Sequence, residues 1–250
     1  METYNINELS EGATYKAYPE ELFTFKASKP EFRIIQGAVF DGETYYAAVN
    51  AKSEGFEATT IVVMDKNGKV LRESPELLLD HANCITRSPD GKLFITHCQS
   101  PDDHFNRYSL VDPESFEIIK TEDLEKPFFA MAYSEDAERF GSGQWAGQTL
   151  NVWDKDLKLL KDENVAMPSS LSQGMCCTKE GLYFVRSFKN GSPTEIRHYS
   201  WELELVFTVI IDVSEQIEVE DINIVDGEAY VIAADPDRSC GVAYKMKFEY

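Results

Sequence analysis

Five residues, Gln36, Asn83, Phe129, Gln173 and Glu220, open five similar segments of this 250-residue chain. Brought to one place they would supply amides, an aromatic ring and a carboxylic acid, a mixed set of the kind that orients a small molecule against a concave surface. Glu220 is the member able to move a proton. With Asp221, and with Asp235 and Asp237 in a neighbouring loop, it forms a candidate acid and base pair or a seat for a hard cation such as calcium. The stretch Asp-Pro-Asp-Arg-Ser from Asp235 lacks the ligand series of a full calcium loop, so no resident cofactor is expected. Two more residues are candidates for the same place. Trp145, within Gly141-Ser-Gly-Gln-Trp-Ala-Gly147, either stacks on a planar ligand or packs on an adjacent loop. Arg186 either meets the ligand or neutralises Glu220 across neighbouring repeats. The expected ligand-binding set is therefore Gln36, Asn83, Phe129, Trp145, Gln173, Arg186 and Glu220, and for Gln36 and Gln173 taken singly a hydrogen bond to a neighbouring repeat is an equal alternative.

Other chemistries fit less well. The second repeat gathers His81, Asn83, Cys84, His97, Cys98 and His104. A hairpin turn centred between Asp90 and Gly91 sets Cys84 opposite His97 and Asn83 opposite Cys98, so the two thiols face opposite sides of the sheet. Zinc needs four converging ligands, and no metal is expected. The glycines around Trp145 lack the spacing of a dinucleotide fingerprint, and no helix follows to receive a pyrophosphate. No nucleophile elbow, zincin or phosphate-loop motif is present.

The elements that must position these residues are strands. The five opening residues are 47, 46, 44 and 47 positions apart. Each begins a strand, a tight polar turn and a second strand, as in QGAVFDGETYYAAV from Gln36 and EDINIVDGEAYVIAA from Glu220. A third strand, a turn and a fourth follow, as in TTIVVMDKNGKVLRE and TLNVWDKDLKLLKD. Four strands per unit at this period make a propeller blade. The expectation is an all-β, five-bladed β-propeller forming a single domain over 1–250, with blades at about 30–77, 81–125, 127–166, 171–212 and 218–250 plus 17–28. The last repeat ends after three strands, and Glu21 to Ala27 (ELFTFKA) supplies the fourth, closing the ring and removing an open edge. The opening residues then stand at the top entrance of the channel, beside the loops 50–57, 98–104, 144–148, 186–193 and 235–240. Short Asp-Gly and Asn-Gly turns build the opposite face on their own account.

The charge of −20, from 44 acidic against 24 basic residues, is spread along the chain. Such a surface repels nucleic acid and anionic lipid and keeps β-strands apart in solution. The longest apolar run, Val206 to Ile211, is too short to cross a bilayer. Residues 1–16 lack the apolar core of a leader. Five cysteines without CxxC spacing suit a reducing compartment, so a soluble cytoplasmic protein is expected.

The segment Ile35-Gln-Gly-Ala-Val-Phe-Asp-Gly-Glu-Thr-Tyr-Tyr46 resembles the opening of plant-type glutaminyl cyclotransferases, five-bladed propellers with a QG-x-x-[FY]-DG-x-x-[LY]-Y pattern. More loosely the chain resembles lactonase and streptogramin-lyase propellers. The resemblance implies the fold. In the cyclotransferases the closing aromatic residue precedes an active-site glutamate and several tryptophans line the site, whereas Tyr46 is followed by Ala47 and only Trp145 falls on the top face. Three functions from different classes remain: non-catalytic binding of a small molecule or peptide at the channel entrance, a cyclotransferase- or lyase-like enzyme using Glu220, and a protein-interaction scaffold. Binding needs only the mouth residues and is the leading expectation.

Overall fold

A computed structural model describes residues 2–51, 58–97, 105–144, 148–168, 170–189 and 191–249. The chain opens with β1 (Glu2–Thr3), a single 3-10 turn (Ile6–Glu8) and β2 (Thr14–Phe25). Blade one is β3 (Phe32–Phe40), β4 (Thr44–Ala51), β5 (Ala58–Asp65) and β6 (Val70–Glu73), with β7 (Leu77–Leu78) beside β5. Blade two is β8 (Ile85–Arg87), β9 (Leu93–Thr96), β10 (Arg107–Val111) and β11 (Ile118–Asp123). Blade three is β12 (Ala130–Ser134), β13 (Arg139–Gly143), β14 (Thr149–Asp154) and β15 (Leu159–Asn164). Blade four is β16 (Leu171–Thr178), β17 (Gly181–Ser187), β18 (Glu195–Tyr199) and β19 (Leu205–Ile211). Blade five is β20 (Glu218–Val225), β21 (Glu228–Asp235) and β22 (Cys240–Glu249), completed by β2. The inner strands β3, β8, β12, β16 and β20 touch in that order, and β20 returns to β3. The fold is an all-β, five-bladed propeller closed by its N-terminal strand.

Turn chemistry fixes these hairpins. Between third and fourth strands the same device recurs in four blades: Asp65, Asp112, Asp154 or Ser200 accepts backbone N–H bonds from residues two to four positions on. The left-handed position that follows is Gly68, Phe116, Leu157 or Leu203, with φ of 82°, 60°, 63° and 65°. A side chain there costs about 1 kcal/mol or more, and burial of Phe116 and Leu203 between blades offsets it.

Closure is more extensive than ELFTFKA alone. β2 begins at Thr14, and its first residues pair in parallel with β19 (Thr14 opposite Thr208 to Ala17 opposite Ile211). The rest pairs antiparallel with β22, from Lys16 opposite Glu249 to Phe25 opposite Gly241. Blades four and five thereby share one continuous sheet. β2 also reaches blade one, where the Phe23 ring crosses Gly68 and meets Tyr45 edge-on at 5.2 Å. A Cβ on Gly68 would lie 2.3 Å from that ring. Gly68→Ala is therefore expected to destabilise the fold by about 1–3 kcal/mol, from overpacking added to backbone strain; a denaturant midpoint equal to that of the parent would contradict this contact.

The inner strands each have one edge with no strand partner, and side chains of neighbouring blades satisfy it. Asp221 Oδ2 accepts from the Ala38 N–H at 2.9 Å, and Asn223 accepts from Phe40 N–H and donates to the Ala38 carbonyl. Thr86 accepts from Tyr133 N–H, and Ser187 donates to the Val219 carbonyl. Strands approach so closely that a Cβ on Gly37 would lie 2.6 Å from Cys84 Cα. Cys84, Met131, Met175 and Asp221 are fully buried along the axis, with the Cys84 sulfur 3.5 and 3.6 Å from the Met131 and Met175 carbonyl oxygens.

Candidate functional site

Above this packed axis lies a cavity of about 630 Å³ at the top ends of the inner strands. Gln36, Phe129, Gln173 and Glu220, four of the seven residues expected from sequence, line it together. Glu218 and Asp235 join them.

Local irregularity aims three of these side chains. Gln36 and Gly37 together stand opposite the single residue Ala48, since Ile35 pairs with Val49 and Ala38 with Ala47. Gln173 and Gly174 bulge in the same way on β16, as does Glu220 between Val219 and Asp221 on β20. A bulge breaks the pleat and redirects a side chain, here toward the mouth. The glycines have a second reason: a Cβ on Gly174 would sit 2.1 Å from Asp221 Oδ1. A Gln-Gly pair inside a strand was the available signal for these bulges.

Glu220 is buried, and among the described residues no hydrogen bond or ion pair reaches its carboxyl. Burial, then the charges of Glu218 and Asp221, push its pKa well above the ordinary value. Gln173 Nε2 donates to Glu218 Oε1 at 2.7 Å, so Gln173 both lines the cavity and ties blade four to blade five. Gln36 Oε1 is buried with no hydrogen-bond partner among the described residues.

The remaining expected residues separate. Arg186 is not on the cavity wall and does not pair with Glu220: its guanidinium donates to Ser170 Oγ, Ser172 Oγ and the carbonyls of Pro168 and Ser170, pinning the segment that leads into β16. A buried guanidinium needs that many acceptors, and its own loop provides them. Asn83 is buried beside the axis, off the cavity wall, with both side-chain polar atoms lacking partners among the described residues. Trp145 lies outside the described residues, as do 52–57 and 98–104 of the expected top loops.

The acidic group does not act as one cluster. Asp221, adjacent to Glu220 on β20, turns to the axis and bonds Ala38 N–H, while Asp235 is held by Arg238 through Nε and the backbone N–H. The blade-two residues also part company. Ile85 pairs with Ile95, one residue out of the expected register, because left-handed Gly91 closes a three-residue loop. Cys84 consequently faces Thr96, and His97 lies between Asp80 Oδ2 at 2.7 Å and Ser109 Oγ at 2.8 Å. Cys98 and His104 lie outside the described residues, among which no group of three or more His, Cys, Asp or Glu is placed to hold a metal. Among the same residues no helix is long and apolar enough to cross a membrane.

No protein-family model and no curated protein matches the chain. Solved structures do. A luciferin-regenerating enzyme aligns with TM-score 0.52 at 14% identity over 97% of this chain and 94% of that one. A structure of U3-55K aligns with TM-score 0.51 at 12% identity over 86% of this chain, and RRP9 WD40 repeats with 0.49 at 13% over 88%. This chain spans 62% of the U3-55K chain and 62% of the RRP9 chain, less than two thirds of either. At such identities the likeness is one of fold: what the luciferin-regenerating enzyme and U3-55K structures share with this chain is the propeller.

Proposed function

We propose that the protein binds a small molecule, or the end of a short peptide, at the top mouth of the propeller without transforming it. The observation that supports this is the convergence of Gln36, Phe129, Gln173 and Glu220, distant in sequence, on one cavity of about 630 Å³, within the usual size range of ligand pockets. The test compares faces. Native mass spectrometry of the purified protein, or a fragment screen by crystal soaking, identifies an occupant. Gln36→Ala and Gln173→Ala are then expected to weaken binding by about five-fold to a hundred-fold, roughly 1–3 kcal/mol, by removing desolvated hydrogen-bonding partners. Asp90→Ala, which removes one of the partners of Ser88 Oγ in a bottom turn, should leave affinity unchanged. Loss of binding in the Asp90 variant with retention in the two mouth variants would place the site elsewhere.

A catalytic reading has one observation in its favour. A buried carboxyl with a raised pKa, facing a cavity, suits a general acid. It predicts turnover of a bound molecule that Glu220→Gln abolishes while binding persists; binding with no turnover in the parent protein excludes it.

A further inference from the structure

We infer that the mouth cavity receives its ligand through a protonated nitrogen, an ammonium or guanidinium group, that donates to the carboxylate of Glu220 and lies against the Phe129 ring. This rests on the binding reading above and specifies the chemistry of what binds.

The wall carries acceptors that nothing among the described residues fully uses. Among the described residues the Glu220 carboxyl has no hydrogen bond, Glu218 accepts one from Gln173, and Gln36 Oε1 is buried without a partner. The cations nearby are committed or peripheral. Arg238 is held between Asp235 and Glu21, Arg186 is taken up by Pro168, Ser170 and Ser172, and Arg33 is exposed at the edge of the cavity. His81 and Cys240 complete the titratable lining. A carboxylate or phosphate entering here would meet Glu218 and Glu220 with desolvation and repulsion together. A protonated nitrogen would find its acceptors already placed, with the aromatic residue Phe129 on the same wall. The surrounding charge of −20 draws cations toward the protein at long range.

Occupancy is then linked to protons. In the empty cavity, burial and the charges of Glu218 and Asp221 favour the acid form of Glu220. The arriving cation favours the carboxylate, so the carboxyl proton passes to solvent as the N–H bonds form. Affinity should rise with pH, by up to about tenfold per pH unit, until Glu220 ionises in the empty protein.

Crystals of the full chain are soaked separately with methylammonium, guanidinium, acetamide, acetate and calcium chloride, and methylammonium affinity is followed by NMR across pH. The expected result is density for the two organic cations within hydrogen-bonding distance of Glu220, none there for acetamide or acetate, an affinity that climbs with pH, and a tenfold or greater loss in a Glu220→Gln variant that melts cooperatively. Acetamide or acetate at Glu220 in place of the cations overturns the inference and leaves the binding reading standing. Calcium there instead of the organic cations overturns it too, as does methylammonium binding that Glu220→Gln leaves intact. If none of the probes enters the cavity, the inference and the binding reading both fall.

Discussion

Removal of residues 1–28 is expected to abolish cooperative folding. The deletion takes away β2 and strips β22 and β19 of a strand partner, exposing their edges to other chains. It also removes Ile6, Leu9, Tyr15 and Phe25, all buried, each worth about 1.5–3 kcal/mol of burial. Their sum, about 6–12 kcal/mol, matches the whole net stability of an ordinary domain, about 5–15 kcal/mol. A milder variant keeps the test informative if the deletion cannot be purified. Phe25→Ala empties the site where the ring covers Gly241, at 2.3 Å from that residue's Cβ position, and should cost about 3–5 kcal/mol. Thermal melts by circular dichroism read both; a truncated chain with the parent's transition would refute closure by β2.

The second large effect concerns Glu220→Gln and pH. In the unfolded chain this carboxyl loses its proton near the usual value of 4.5, while burial makes the folded protein hold it to higher pH. The folded state therefore binds more protons through that window. Stability is fully present below the ordinary glutamate value and falls as pH rises, by about 1.4 kcal/mol per pH unit, until the folded carboxyl ionises. An isosteric amide has no such slope, so the variant should gain on the parent steadily with pH and be the more stable protein on the neutral side. His198 works in the opposite sense. Stacked 4.1 Å from the Tyr183 ring and buried, it titrates at about 4 instead of 6.5, and its contribution is complete above 6.5 and lost as pH falls toward 4. Since both proteins contain His198 and Asp221, the difference between their denaturation free energies isolates Glu220. Parallel pH profiles would show that the carboxyl is not desolvated.

The ring was legible because a hairpin writes its turn into a few residues. Asp41-Gly, Asp90-Gly and Asp226-Gly each stand between the first and second strands of a blade, and the structure places left-handed glycines at all three. The site was legible only at the opening residues of the repeats: Gln36, Gln173 and Glu220 lie within inner strands, where bulges aim them at the mouth, and Phe129 lies just before β12. Arg186 misled because a long side chain at a strand end can swing toward its own loop, and only the positions of Ser170 and Ser172 decide that it does. Glu218 was missed because β20 starts two residues before the opening residue assigned to it. The blade-two register differed by one because turn length follows from the φ of Gly91, and residue type alone does not fix it. The parallel rungs between β2 and β19 left a faint trace, the alternation of buried Tyr15 and Ala17 with exposed neighbours, in a stretch that otherwise reads as a polar leader to the first blade.

The blocked axis has a kinetic meaning. With Cys84, Met131, Met175 and Asp221 buried along the axis, a molecule held in the cavity as proposed would have no way through the ring. It would depart by the opening it entered. Residence time would then be set by the upper rim and the cavity wall, and alterations to the underside, however disruptive to the turns there, would have no route by which to hasten release. Crowding the rim would slow arrival and escape in equal proportion, changing both rate constants at constant affinity, whereas altering Glu220 or Gln173 on the wall would fall chiefly on the dissociation rate.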